Sequence, residues 1–176
     1  MNQFNPRSLL GALINAPMRP GRVVWMGIRP ERRAVPLSVN EVRLEAGRGV
    51  LGDHYRNPEG PRQVTLIQSE NLAAVASYLR KDHVDPSWVR RNIVTSGINL
   101  LALKGRRLRV GEAILEVTGE CHPCSRMEEN LGVGGYNAMR GIGGITARVL
   151  QSGLVRVEDS VEAVPDEPQA SAASDT

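Results

Sequence analysis

The sequence predicts an α+β domain that is mostly β: a barrel of short strands with a few helices attached. Three observations lead there. Six or seven short apolar or alternating runs are separated by turn residues, only one stretch has a strong helical repeat, and strands and helices do not alternate regularly. The last point disfavours a doubly wound parallel sheet, which needs a helix between successive strands.

In chain order, residues 1–20 show no durable periodicity and read as a loose N-terminal arm, ahead of one domain over 21–164. Val23–Ile28 is an apolar run closed by Arg29-Pro30, the pattern of a well-buried strand. Glu41–Leu44 alternates polar and apolar side chains as a second strand, and Gly47, Gly49 and Gly52 follow as a turn. Gln63–Ile67 is a third β run. Ser69 opens a helix over about residues 70–81, with Leu72, Val75, Ala76 and Leu79 at helical spacing. Arg91–Thr95 is extended and broken by Gly97. Arg106–Val110 and Ala113–Thr118 flank Gly111-Glu112 as a tight hairpin. A second helix is expected near 125–131, and final strands at Ile145–Leu150 and Ser160–Val164. From 165 to 176 the composition of Pro, Ala, Ser, Asp and Glu predicts a disordered acidic tail.

The chain has 176 residues, enough for one domain with its own core. Aromatics make up 3%, so that core is aliphatic. Of 22 basic residues 20 are arginines, all at or before Arg156, and residues 1–157 carry a net +9. Residues 158–176 hold six acids and no base. Arginine presents a planar fork of donors suited to phosphate and carboxylate, so an anionic ligand is expected, although a general bias toward arginine gives the same composition. Basic runs with interleaved aromatics are missing, so no nucleic-acid partner is expected. No stretch approaches the 18 apolar residues of a membrane span, and two cysteines cannot staple a secreted domain of this size. The expected location is the cytoplasm, with no membrane partner.

The segment Thr118–Glu129 carries the chemistry, because it holds both cysteines, Cys121 and Cys124. Ser125 and Glu128 have the spacing of a capping box, which would place Cys124 just before the first helical turn. Positive partial charge at the helix start and nearby Arg126 would then favour the thiolate, the form that ligates metal or attacks sulfur. Other uses of Cys-x-x-Cys stay open. Structural zinc needs four ligands, and only His54, His83 and His122 could join the two cysteines. A zinc deaminase needs His-x-Glu, whereas His54 is followed by Tyr55-Arg56. A thioredoxin-type redox pair expects the motif early in a βαβ unit, and here it follows a hairpin. Two inert buried cysteines remain the plain alternative.

In order, the chain carries Gly52-Asp53-His54, then Arg62-Gln63-Val64-Thr65-Leu66-Ile67-Gln68-Ser69-Glu70, then Arg90-Arg91-Asn92-Ile93-Val94-Thr95 with Gly97. Leu100 to Gly105, Val110-Gly111 and Ala113–Val117 follow. The set ends with Cys121-x-Pro123-Cys124-Ser125-Arg126-Met127, Gly143-Gly144 and Ala147-Arg148-Val149. This ordered set, over roughly residues 20–162, resembles the MOSC family, named for the C-terminal domain of molybdenum-cofactor sulfurase. The chain departs from it with Glu158-Asp159 where many members have Gly-Asp before the last strand, and the Asp-x-x-x-His-Gly-Gly element of one bacterial subgroup is missing after Gly52.

The resemblance implies an antiparallel β-barrel with flanking helices and a molybdenum–molybdopterin cofactor. Among relatives are amidoxime-reducing components and small bacterial reductases of N-hydroxylated bases. By that likeness Cys124 is the metal ligand and Cys121 its supporting thiol, both catalytic. Arg91 and Asn92 match a cofactor-side signature, and Arg62, Arg126, Asp53, His54 and Ser125 join the expected cofactor-binding set. Arginine forks and backbone N–H groups suit a phosphorylated pterin. An ion pair for Arg91, an ordinary turn for Asp53-His54 and loop packing for the glycines at 132–144 are the simpler readings.

The expected activity is reduction of N-hydroxylated small molecules. Two cysteines cannot hold an iron–sulfur cluster, so electrons come from a separate reductase. The alternative is a sulfur carrier that accepts persulfide from a pyridoxal-phosphate cysteine desulfurase. A third possibility is a module that stores or protects the cofactor.

Overall fold

The computed structural model describes residues 8–55 and 57–165. The expected tail beyond Pro165 and the first seven residues of the expected arm lie outside the described residues.

Seven strands close the barrel: β1 (Gly21–Ile28), β5 (Val64–Gln68), β6 (Ile93–Ser96), β7 (Arg107–Val110), β8 (Ala113–Glu120), β9 (Ile145–Gln151) and β11 (Ser160–Val164). The order around the barrel is β11-β7-β8-β9-β5-β6-β1, and β1 pairs back to β11 through Gly21↔Val161. Every neighbour is antiparallel except β5 and β6, which run parallel. β2 (Leu37–Val39) extends from β1 outside the ring. A second sheet joins β10 (Gly153–Arg156), β3 (Glu41–Glu45) and β4 (Gly49–Val50). The Gly111-Glu112 hairpin is formed, with Val110 paired to Ala113 and Gly111 at a φ of 54°. The expected barrel is therefore the observed one.

Strand alternation divides the apolar residues between two cores. Leu66 and Ile93 face the barrel interior with Val23, Met26, Leu108, Leu115 and Val149. Their neighbours Ile67 and Val94 face outward and pack under the helices. α2 (Ser69–Tyr78) covers them with Leu72, Val75 and Ala76. α3 (Ser125–Leu131) adds Met127 and Leu131, and α4 (Gly135–Ala138) adds Ala138. Because Met127 and Leu131 lie four residues apart on one helical face, their burial fixes both the position and the rotation of α3.

Several elements differ from the expectation. Leu9–Ile14, inside the expected arm, forms a helix, α1, capped by the Ser8 side chain. The expected helix over 70–81 starts at Ser69 and ends at Tyr78, and its N-cap is Gln68. β2, β4, β10 and α4 are too short for a periodic signal. Among the described residues no helix is long and apolar enough to cross a membrane.

Candidate functional site

Cys121 follows directly on β8, and its backbone is held on both sides. Its N–H donates to the Gly144 carbonyl at 2.9 Å, and its own carbonyl accepts from Arg91 Nη2 at 3.0 Å. The side chain is buried, with Arg62 Nη2 at 3.5 Å from its sulfur. Arg62 is carried there by a short tether: Thr118 Oγ1 donates to the Pro61 carbonyl, and Gln63 Nε2 donates to Pro58 at 2.8 Å.

Cys124 is exposed and forms the N-cap of α3, with an extended backbone at φ −124° and ψ 176°. The capping box expected for Ser125 and Glu128 is not made. Cys124, not Ser125, is the cap residue, and Glu128 bonds forward: its carboxylate accepts the N–H groups of Gly134 at 2.7 Å and Tyr136 at 2.9 Å. Those bonds hold Glu128 below the usual carboxylate range, with Tyr136 the larger cause. Placement of Cys124 before the first turn nevertheless holds, because Met127 N–H donates to its carbonyl at 2.9 Å. Ser125 is exposed beside it on that turn.

Residues 121–124 form no turn or bend, and only Cys124 belongs to a helix start. Both cysteines are free thiols. Among the described residues no group of three or more His, Cys, Asp or Glu side chains converges, so a four-ligand zinc centre is not assembled.

The arginine next to the motif is occupied by the protein itself. Arg91 is 6% exposed, and each of its three nitrogens donates to a carbonyl: Nε to Gly143 at 2.7 Å, Nη1 to Val89 at 2.9 Å and Nη2 to Cys121 at 3.0 Å. It clamps three segments together. Gly143 is required for that closeness, since a Cβ there would lie 2.3 Å from the Cys121 carbonyl oxygen and 3.2 Å from Arg91 Nη2. Burial first, and then Arg62 and Arg29, push the Arg91 guanidinium below its ordinary value, while Cys121 and Cys124 pull it back up.

Asn92 is likewise turned inward. Its Oδ1 accepts from Thr65 N–H at 3.1 Å and Thr65 Oγ1 at 2.8 Å, and its Nδ2 donates to Asp53 Oδ2 at 2.7 Å. Asp53, also buried, pairs with Arg29 at 3.1 Å and accepts Tyr55 N–H at 3.2 Å. His54 Nδ1 lies 3.1 Å from Asp53 Oδ1 and is partly exposed. The pair Asp53-His54 is thus more than a turn: its carboxylate is the anion of a buried network that anchors Arg29.

Two basic residues that sequence reasoning passed over belong here. Arg29 Nη1 donates to the Arg90 carbonyl at 3.1 Å, and Arg90 Nη1 donates to Ala34 at 2.8 Å. Arg90 has a left-handed backbone, φ 59°, at the end of the 3-10 turn Pro86–Val89, an arrangement that stores strain in a non-glycine residue. Burial, Arg29 and Arg126 push Arg90 down, and Cys124 and Asp53 pull it up, so all of these charges bear on one another. The sequence signal for Arg90 was its place beside Arg91; Arg29 gave none. Arg126 is paired with Glu129. Among the described residues Arg62, Arg90 and Arg91 have no carboxylate within ion-pair distance, which leaves excess positive charge beside the two cysteines, Arg62 at Cys121 and Arg90 and Arg91 in the field of Cys124.

A sequence profile described as the MOSC domain matches residues 50–162. The chain belongs to the MOSC family. No curated protein sequence matches it. Among solved structures it is similar to the YuaD protein from Bacillus subtilis, with a TM-score of 0.74 and 20% identity over 85% of this chain and 98% of that one. YiiM from Escherichia coli matches with a TM-score of 0.63 and 20% identity over 83% of this chain and 71% of that one. For YiiM from Geobacillus stearothermophilus the values are 0.66 and 14%, over 82% and 75%. At these identities the structural likeness shows the barrel fold alone.

Proposed function

We propose that Cys124 holds the molybdenum of a molybdopterin cofactor and that the protein reduces N-hydroxylated small molecules. The observation that carries this reading is an exposed thiol, Cys124, in the field of Arg90 and Arg91, with Arg62 against the neighbouring Cys121 sulfur, and none of these three arginines has a carboxylate partner among the described residues. That donor set fits an anionic, phosphate-bearing cofactor attached through one sulfur. Arg62, Arg90 and Arg126 are the residues to hold the phosphate. Arg91 and Asn92 act as positioning residues: the first fixes the Cys121 carbonyl and the second fixes Asp53 and, through it, Arg29. Cys121, with its backbone fixed and its thiol against Arg62, sets where the strand releases the chain toward Cys124. The chemistry such a cofactor supplies when bound is two-electron reduction of an N–O bond.

The exposure of Cys124 also favours a second reading, in which the thiol accepts persulfide from a pyridoxal-phosphate cysteine desulfurase. Elemental analysis and pterin fluorescence of the purified protein separate the two. Molybdenum near one per chain, lost in Cys124→Ala and retained in Cys121→Ala, is the expected result. Metal lost in Cys121→Ala alone reverses the assignment, and persulfide on a metal-free protein selects the carrier.

A further inference from the structure

Among the three histidines, His54 is the one whose protonated nitrogen the fold decides. Its backbone N–H donates to the Arg29 carbonyl at 2.7 Å. Its ring nitrogen Nδ1 lies 3.1 Å from Asp53 Oδ1 and 3.3 Å from the same Arg29 carbonyl oxygen. Asp53 is a buried carboxylate that accepts from Arg29, Asn92 and the Tyr55 N–H, so neither neighbour of Nδ1 has a proton to give. Nδ1 therefore carries the hydrogen, and in the neutral ring Nε2 is left as an acceptor. No hydrogen bond engages Nε2 among the described residues, and the His54 side chain is 30% exposed, so that acceptor is open. By contrast, His83 stacks on Trp88 with ring centroids 6.0 Å apart, and no hydrogen bond among the described residues fixes the exposed ring of His122.

A short chain of contacts ties this acceptor to the thiol. Arg29, which holds both Asp53 and His54, donates from Nη1 to the Arg90 carbonyl at 3.1 Å. Arg90 in turn stands in the field of both Asp53 and Cys124. The residues assigned above to the cofactor phosphate, Arg62, Arg90 and Arg126, have N–H groups and no lone pair with which to accept. An N-hydroxylated molecule presents an O–H donor at the very bond that is to break, and those arginines cannot satisfy it.

We propose that His54 Nε2 accepts the hydrogen bond of the substrate hydroxyl and thereby selects N-hydroxylated compounds over N-oxides, whose oxygen carries no hydrogen. This role rests on the reductase reading and adds the group by which the site discriminates. Reduction of R–NHOH to R–NH2 and water takes two electrons, from the separate reductase, and two protons, from solvent. His54 supplies none of these; it orients the N–O bond. A site that offers an acceptor to a substrate O–H discriminates against an analogue without one, because the acceptor is then left unpaired.

The first measurement needs no cofactor. Long-range proton–nitrogen NMR of the metal-free full chain, in alkaline buffer where an imidazole is neutral, is expected to show hydrogen on His54 Nδ1 and none on Nε2. Hydrogen mainly on Nε2 overturns the proposal. The second compares phenylhydroxylamine, which has the O–H, with N,N-dimethylaniline N-oxide, which lacks it, on the cofactor-loaded full chain driven by reduced methyl viologen. The wild-type ratio of kcat/KM for the two substrates favours the hydroxylamine and falls by about tenfold or more in His54→Phe, which keeps a ring but has no acceptor. His54→Gln, whose amide oxygen accepts, recovers part of the ratio. A ratio unchanged in His54→Phe overturns the role of His54 whatever the absolute rates, and leaves the reductase reading standing. Failure of the wild type to reduce either compound refutes the reductase reading and this role with it.

Discussion

Arg91→Lys distinguishes a clamp from a cofactor ligand. The guanidinium spans three carbonyls at 2.7, 2.9 and 3.0 Å, on Gly143, Val89 and Cys121. A lysine keeps the charge and presents one nitrogen, so it reaches one of the three and leaves two buried carbonyls without a donor. Hydrogen bonds to a charged group contribute about 1.5–3 kcal/mol each, so the loss of two costs about 3 kcal/mol or somewhat more. With a urea dependence of about 2 kcal/mol per molar, the unfolding midpoint falls by about 1.5 M. The measurement is urea denaturation of the metal-free protein, followed by tryptophan fluorescence. If Arg91 instead served to grip phosphate, the metal-free variant would keep its stability and lose only cofactor affinity. A midpoint shift below about 0.5 M, which corresponds to about 1 kcal/mol, refutes the clamp.

Gly143→Ala forces a methyl against the Cys121 carbonyl, with no relief from its far side, and is expected to cost about 1–3 kcal/mol in the same assay; wild-type stability contradicts it. Asp53→Ala removes the anion from Arg29 and Asn92 and is expected to cost about 3–5 kcal/mol, a loss under 1 kcal/mol showing that the network is slack. The Glu128 carboxyl lies below its ordinary value of 4.5, so its hold on the Val133 loop is complete above that pH and fades as pH falls through the lower folded value. Amide chemical shifts of Gly134 and Tyr136 should titrate with a midpoint under 4.5, and a midpoint at or above it refutes the bonds.

The barrel was legible because its strands read as short apolar runs between turn residues, and β5 and β6 run apolar on both faces because both are covered: Leu66 and Ile93 enter one core while Ile67 and Val94 enter the other. α3 was legible from Met127 and Leu131, which place its buried face. What the sequence obscured was local competition for the same donors and acceptors. Ser125 and Glu128 have capping-box spacing, but the amides of Gly134 and Tyr136 offered Glu128 two bonds where the cap offered one. α1 escaped notice because its leucines are largely exposed and leave no buried stripe to read. In the site, the residue types around the cysteines were apparent, whereas their division of labour was not. Arg91 and Asn92 look like ligand residues in one dimension, and only the fold shows their polar atoms directed at Gly143, Val89, Cys121, Thr65 and Asp53.

That division bears on why Arg62, Arg90 and Arg91 have no carboxylate partner among the described residues. Burial of the guanidinium groups opposes folding, and like charges gathered beside them add to the cost, as the lowered values of Arg90 and Arg91 record. A domain shaped for stability alone would place a carboxylate among them. Asp53 is the nearest buried candidate, yet it is committed to Arg29, Asn92 and the Tyr55 amide. Glu129 is committed to Arg126. The strained backbone of Arg90 adds a further penalty at the same spot. Stability is thus given up three ways within one shell around an exposed thiol, by charge crowding, desolvation and torsional strain. An anion bound there would relieve the first of these, which is the physical reason to look for a phosphate-bearing cofactor at Cys124 before looking anywhere else on the barrel.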